Sequence, residues 1–80
     1  MLEELKDGHV VVGLKQMKKA LRDGRVQRVF LAKNADPRLV EPIETQCREQ
    51  SVDCVWAESM TELGTACGID VGAAAAALLR

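Results

Sequence analysis

The sequence predicts an α/β fold, a three-layer α/β/α sandwich around a small mixed four-stranded sheet. Two observations lead there. Short β-branched runs alternate with segments whose apolar residues recur at helical spacing, in the order β-α-β-α-β-α before a last apolar segment. The connections are short, with no linker and no repeat, so the 80 residues are expected to form one domain, 1–80. Strands this apolar need helices on both faces. A chain this short buries only about 60% of the surface its unfolded form exposes, so its core must be compact.

The elements follow in order. A helical turn is expected at Leu2 to Lys6. HVVVG, residues 9–13, is a β-branched run ended by glycine and reads as a buried strand. From Leu14 the period changes: Leu14, Met17 and Leu21 fall at i, i+3 and i+7 beside Ala20, and Gly24 stands where a helix would be closed. VQRVFLA, residues 26–32, alternates and then turns fully apolar, as a strand entering a core would. Asp36-Pro37 opens a helix, with Asp as N-cap and Pro at the first helical position. Leu39, Val40, Ile43 and Cys47 mark its inner face to about Gln50. VDCVWA, residues 52–57, is the next strand, and Ser59-Met60-Thr61-Glu62 fits a capping box for a short helix that Gly68 can close. The tail GAAAAALL reads two ways. Alanine favours helix, yet the same tract suits a small-residue strand beneath packed helices.

Composition removes several function classes. At 48% hydrophobic residues the chain is a folding one. One Phe, one Trp and no Tyr cannot furnish the aromatic platforms that stack single-stranded bases. Cys47, Cys54 and Cys67 form no CxxC pair, His9 is the single histidine, and the expectation is buried, reduced thiols with no metal and no cofactor. MLEELKDG lacks the features of a signal peptide, and no stretch approaches the ~18 apolar residues of a membrane span. A cytoplasmic protein with no membrane partner is expected.

The net charge is −1, which argues against nonspecific coating of nucleic acid. The charge is unevenly spread. Gly13 to Arg28 carries six cations against one acid, and Glu41 to Glu62 reverses the balance. GLKQMKKALRDG, Gly13 to Gly24, is therefore the leading candidate site. Its first helical turn offers unpaired N–H groups and the positive end of the helix dipole, both favourable to phosphate. Lys15 meets that positive end at a cost, so an external anion or base edge explains it better than local stability does. Lys15 and Lys19 share a face, Gln16 adds an amide that donates and accepts, and Lys18 and Arg22 repeat the spacing one row over. The ordinary alternative is a solvated amphipathic face.

Other candidates have simple structural explanations beside their functional ones. Glu58, Ser59 and Met60 form a possible second contact loop, although capping accounts for Ser59 and packing for Met60. Asp36 explains itself as an N-cap, and Lys33 and Asn34 precede it in a loop. Catalytic readings find little support. Neither GxGxxG nor GxxxxGK[ST] occurs, His9 has no evident partner, and the acids of Glu41 to Glu49 suit an outer helix face. The chain is not expected to be an enzyme.

GLKQMKKAL, AKNADP, ESMTELGTACG and the alanine-rich tail, in that order, resemble the small kink-turn RNA-binding proteins of the L7Ae ribosomal-protein superfamily, most of all its short bacterial members. The resemblance runs from about Leu5 to Leu79. It implies an α/β/α sandwich whose RNA-contacting turn begins at Gly13 and Leu14. In that family the turn docks on a kinked stem, where tandem sheared G·A pairs open a groove that regular A-form RNA keeps closed. The family's Gly-x-Asn-Glu-x-x-Lys aligns with Gly13, Lys15, Gln16 and Lys19. Gly13 would allow close backbone approach, Lys15 and Gln16 would reach guanine edges, and Lys19 would meet phosphate or base. Lys15 stands where archaeal and eukaryotic relatives have Asn, and Gln16 replaces Glu with a weaker acceptor.

The resemblance also implies that Glu58, Ser59 and Met60 cover flipped-out nucleotides. It implies Asp36 and Val40 beside an extruded base, with Lys33 at the rim. The partner implied is a structured RNA, in the ribosome or elsewhere, and a monomer is expected. The competing expectation is an adaptor whose basic helix faces an acidic protein surface.

Overall fold

The computed structural model describes Leu5 and residues 8–80. The elements are β1 (Val10–Val12), α1 (Leu14–Arg22), β2 (Val26–Ala32), α2 (Pro37–Glu49), β3 (Asp53–Ala57), α3 (Met60–Ala66) and β4 (Ala75–Leu79). The helical turn expected over 2–6 lies outside the described residues except at Leu5, which is helical and buried.

Local chemistry accounts for each helix. α1 is built from good helix formers and buries Met17, Ala20 and Leu21 along one stripe. α2 starts as expected: the Asp36 carboxylate accepts from the Arg38 backbone N–H at 2.9 Å, with Pro37 next to it. It continues through Pro42, which has no N–H to offer the Arg38 carbonyl. α3 begins at Ser59, whose hydroxyl accepts from Glu62 N–H at 3.0 Å.

α1, α2 and α3 end in the same way. The residue after the C-cap takes positive φ, at Gly24, Ser51 and Gly68, and two backbone bonds close the last turn. These run from Gly24 to Leu21 and Arg25 to Ala20, from Ser51 to Arg48 and Val52 to Cys47, and from Gly68 to Thr65 and Ile69 to Gly64. Gly24 and Gly68 meet this demand without strain; Ser51 does not.

The sheet order is β1-β4-β2-β3. β4 runs antiparallel to both β1 and β2, and β2 pairs with β3 in parallel, so β1, β2 and β3 all point the same way. α1 and α2 pack together against the sheet, and α3 packs on β2, β3 and β4. Both central strands are covered on both faces. Val29, Phe30, Leu31 and Ala32 are successive and buried, as are Ala75, Ala76, Ala77 and Leu78. Burying Phe30 alone contributes about 2–3 kcal/mol of transfer free energy.

The alanine-rich tail is the strand of the two alternatives. Inserted between β1 and β2, it has every ladder bond available, and its methyl side chains let helices approach on either side. The first strand differs from its expected burial: Val10–Val12 are half-buried because β1 lies at an edge of the sheet. Close backbone packing continues after α3. A Cβ at Gly64 would collide with the Val71 carbonyl, and one at Gly72 would press on Met60. The chain between α3 and β4 is thereby laid against the start of α3, with Ala73 N–H donating to the Met60 carbonyl at 3.0 Å.

A candidate nucleic-acid interface

Three parallel strands followed by three helices bring three helix starts to one edge of the sheet. Gly13, residues 33–36 and residues 58–60 follow the ends of β1, β2 and β3, and residues 72–74 lead into β4 there. Backbone bonds lock the edge together: Gly13 N–H to Ala75 O at 3.2 Å, Ala32 N–H to Ala74 O at 3.0 Å and Lys33 N–H to Ala57 O at 2.9 Å. In open α/β sheets this carboxyl edge is where ligands bind.

The three helix starts differ. At α2 and α3 side-chain oxygens of Asp36 and Ser59 satisfy backbone donors, and the Asn34 side-chain carbonyl accepts from Met60 N–H at 2.8 Å. α1 begins at Gly13 with no side-chain cap and no acid in its first turn. Gly13 has φ 102° and ψ 148°, a region open to glycine and strained for other residues. Space within 4 Å of its missing Cβ is empty. The uncapped turn thus presents free N–H groups and positive dipole outward, next to a backbone that a ligand can approach closely.

Beyond that turn lies an open groove of about 540 Å³ lined by Lys15, Gln16, Lys18, Lys19, Arg22 and, from α2, Gln46. Lys15, Lys18, Lys19 and Arg22 form four like-charge pairs at i,i+3 or i,i+4, each destabilising the helix by roughly 0.2–0.5 kcal/mol. Gln46 escapes a reading of α1 alone. It follows from the packing of α1 beside α2, which one helix's periodicity does not reveal.

The other expected contact residues are distributed as follows. Leu14, Ser59 and Met60 are half-buried at the edge. Lys33 and Glu58 are exposed and bridge one another at 2.8 Å, so the two candidate loops are joined by charge as well as by the Asn34 bond. The Asp36 carboxylate also takes a fork from Arg38, through Nε at 3.3 Å and Nη2 at 2.9 Å, and this bonding holds it below the usual carboxylate range. Val40 is different: at 3% exposure it lies in the core, where it holds α2 against the sheet and has no surface to offer. Its neighbour Leu39 is the exposed apolar residue of that turn.

Val71 was not singled out from sequence. It is 70% exposed, on the segment whose backbone packs against α3 at Gly64 and Gly72. An isolated valine in a coil carries no periodic signal; the only hint beside it is Gly72.

The cysteines stand apart from this edge's polar chemistry. Cys47 is buried, Cys54 and Cys67 are half-buried, and all three are free thiols. A hydrogen bond with Cys47, together with burial, pushes the Cys54 thiol up, and burial alone raises Cys67. Among the described residues no group of His, Cys, Asp and Glu could hold a metal ion, and no helix is long and apolar enough to cross a membrane.

Comparison with known proteins agrees with this architecture. An RNA-binding protein of Halalkalibacterium halodurans is 45% identical over 71 residues, covering 89% of this chain and 87% of that one. The large ribosomal subunit protein eL8 of Halobacterium salinarum is 35% identical over 80 residues, covering 98% and 67%. Among solved structures, the 15.5 kD RNA binding protein of Giardia lamblia superposes with a TM-score of 0.92 at 26% identity, covering 99% of this chain and 70% of that one. The model of the ribosomal protein L7Ae/L30e/S12e/Gadd45 family matches residues 2–80, and the chain belongs to that family.

Proposed function

We propose that this protein is a non-catalytic RNA-binding module that recognises kink-turns and stabilises their bent form. The observation that carries this reading is the uncapped, glycine-led start of α1 with Lys15, Gln16 and Lys19 exposed directly behind it. The names of its relatives support RNA as the partner.

The turn at Gly13 and Leu14 enters the groove opened by tandem sheared G·A pairs. Lys15 donates to guanine acceptors, and Gln16 both donates and accepts along the base edges. Lys19, one turn on, meets phosphate. Lys33, Asp36 and the Glu58–Met60 loop border the unstacked nucleotides, and the exposed Val71 offers them an apolar cover. Rigid bonding along the sheet edge keeps these groups in fixed relation, so the site favours one RNA shape. Binding shifts the RNA toward its kinked state by the difference in affinity for the two forms. The protein acts as a monomer in the cytoplasm, on ribosomal or other structured RNA.

The test is calorimetric titration with a short kink-turn RNA and with the same stem carrying Watson–Crick pairs in place of the tandem G·A pairs. Tight binding to the first and weak binding to the second is the expected outcome. Equal or absent binding to both would overturn the reading and leave an adaptor for an acidic protein surface as the better one.

A further inference from the structure

Apart from the last residue, Arg80, the described cations fall into two groups. Arg25, Arg28, Lys33, Arg38 and Arg48 each lie within 4.0 Å of a carboxylate, on Asp23, Asp53, Glu58, Asp36 and Glu44. Lys15, Lys18, Lys19 and Arg22 have no ion pair with a described residue, and α1 itself contains no acid. At 3.6 residues per turn the four occupy an arc of about 100°, directly opposite the buried Met17, Ala20 and Leu21. They are the residues that, with Gln16 and Gln46, line the groove between α1 and α2.

On the RNA-binding reading above, the kink takes up only part of that groove. Lys15, Lys19 and Gln16 share one side of the helix; Lys18 and Arg22 carry the same charge along the neighbouring row. From Lys15 to Arg22 the helix rises about 10 Å. One strand of a duplex spaces its phosphates by roughly 3 Å of axis, so this length matches about three of them. The opposite wall supplies Gln46, whose amide can donate to a phosphate oxygen without adding charge. The groove lining holds no aromatic side chain on which a base could stack.

We infer that the groove between α1 and α2 is a second RNA surface, seating the phosphate backbone of a stem that leads away from the kink. Lys18, Arg22 and Gln46 are its contacts. This rests on the RNA-binding reading above and extends it. These residues lengthen the footprint and set its salt dependence, whereas the turn at Gly13 sets which RNA is chosen. A polyanionic strand also relieves the mutual repulsion of the four cations, none of which forms an ion pair with a described carboxylate.

The experiment compares two hairpin-capped RNAs that share one kink-turn. In the first the flanking stems are trimmed to a few base pairs; in the second each is extended by roughly one helical turn. Wild type and the Lys18→Ala/Arg22→Ala double variant are titrated with both across a salt series, with circular dichroism confirming that these two exposed substitutions leave the fold intact. Wild type is expected to bind the extended RNA roughly tenfold more tightly than the trimmed one. The double variant should lose that gain, with the magnitude of its salt slope on the extended RNA lower by about two and its binding to the trimmed RNA unchanged. An equal loss on both RNAs would overturn the inference by placing the two residues at the kink. Wild-type behaviour of the double variant on both would overturn it by emptying the groove of RNA. Failure of wild type to prefer the kink-turn over its Watson–Crick control is a separate result and would overturn the parent reading.

Discussion

The Asn34 side-chain carbonyl accepts a hydrogen bond from the Met60 backbone N–H at 2.8 Å, tying the loop after β2 to the first residue of α3. The bond satisfies a helix donor that has no partner within its own helix. It also fixes the distance between two loops that border the same sheet edge. Replacing Asn34 by Ala should cost about 1 kcal/mol of stability. The check is the midpoint of urea unfolding. Kink-turn affinity should fall as well, because the Glu58–Met60 loop loses its anchor. An unchanged midpoint would mean that water replaces the amide.

Two left-handed backbone positions should respond in opposite directions. Gly13 has φ 102° with open space around its missing Cβ, so Gly13→Ala should cost about 1–3 kcal/mol from backbone strain alone. Ser51, at φ 57°, closes α2 where glycine closes the other two helices. Ser51→Gly should stabilise the protein by about 0.5–1 kcal/mol, the strain relieved being partly offset by added freedom of the unfolded chain. Thermal unfolding of the two variants checks both signs.

Lys15→Ala and Gln16→Ala should each cost roughly 1–3 kcal/mol of binding to a minimal kink-turn RNA, the magnitude of a good base contact. Lys18→Ala should change that minimal complex far less, since Lys18 lies one row over on the helix from Lys15 and Lys19. Titration of all three variants against one short RNA separates them, and three equal curves would defeat the assignment.

Glu58 holds Lys33 at 2.8 Å on an exposed surface, its side chain 74% accessible. Such a pair contributes at most about 1 kcal/mol to stability. Glu58→Gln should therefore leave unfolding nearly unaltered while releasing Lys33 and removing a negative charge from the candidate edge. Affinity for kink-turn RNA should rise roughly threefold and grow more salt-dependent. A weaker complex would instead make the carboxylate itself a contact to the RNA.

The kinds of element were legible in the sequence because their determinants are local. The Asp36-Pro37 start, the Ser59 cap and the glycines at 24 and 68 act within one helical turn, and the apolar period of α1 fixes its buried stripe. The Gly13–Lys19 candidate was legible for the same reason, since its charge and its dipole mismatch both lie in one short segment. Tertiary structure decided the rest. Residues 75–79 became a strand because β1 and β2 supply hydrogen-bond partners on both sides and helices cover both faces. Alanine's own preference for helix could not settle that. Chain order likewise did not bring Lys33 to Glu58, Asn34 to Met60 or Gln46 to the cations of α1. Those meetings depend on strands that pair across 25 residues or more and helices that share a face, and such long-range closure is specified only when the whole core packs at once.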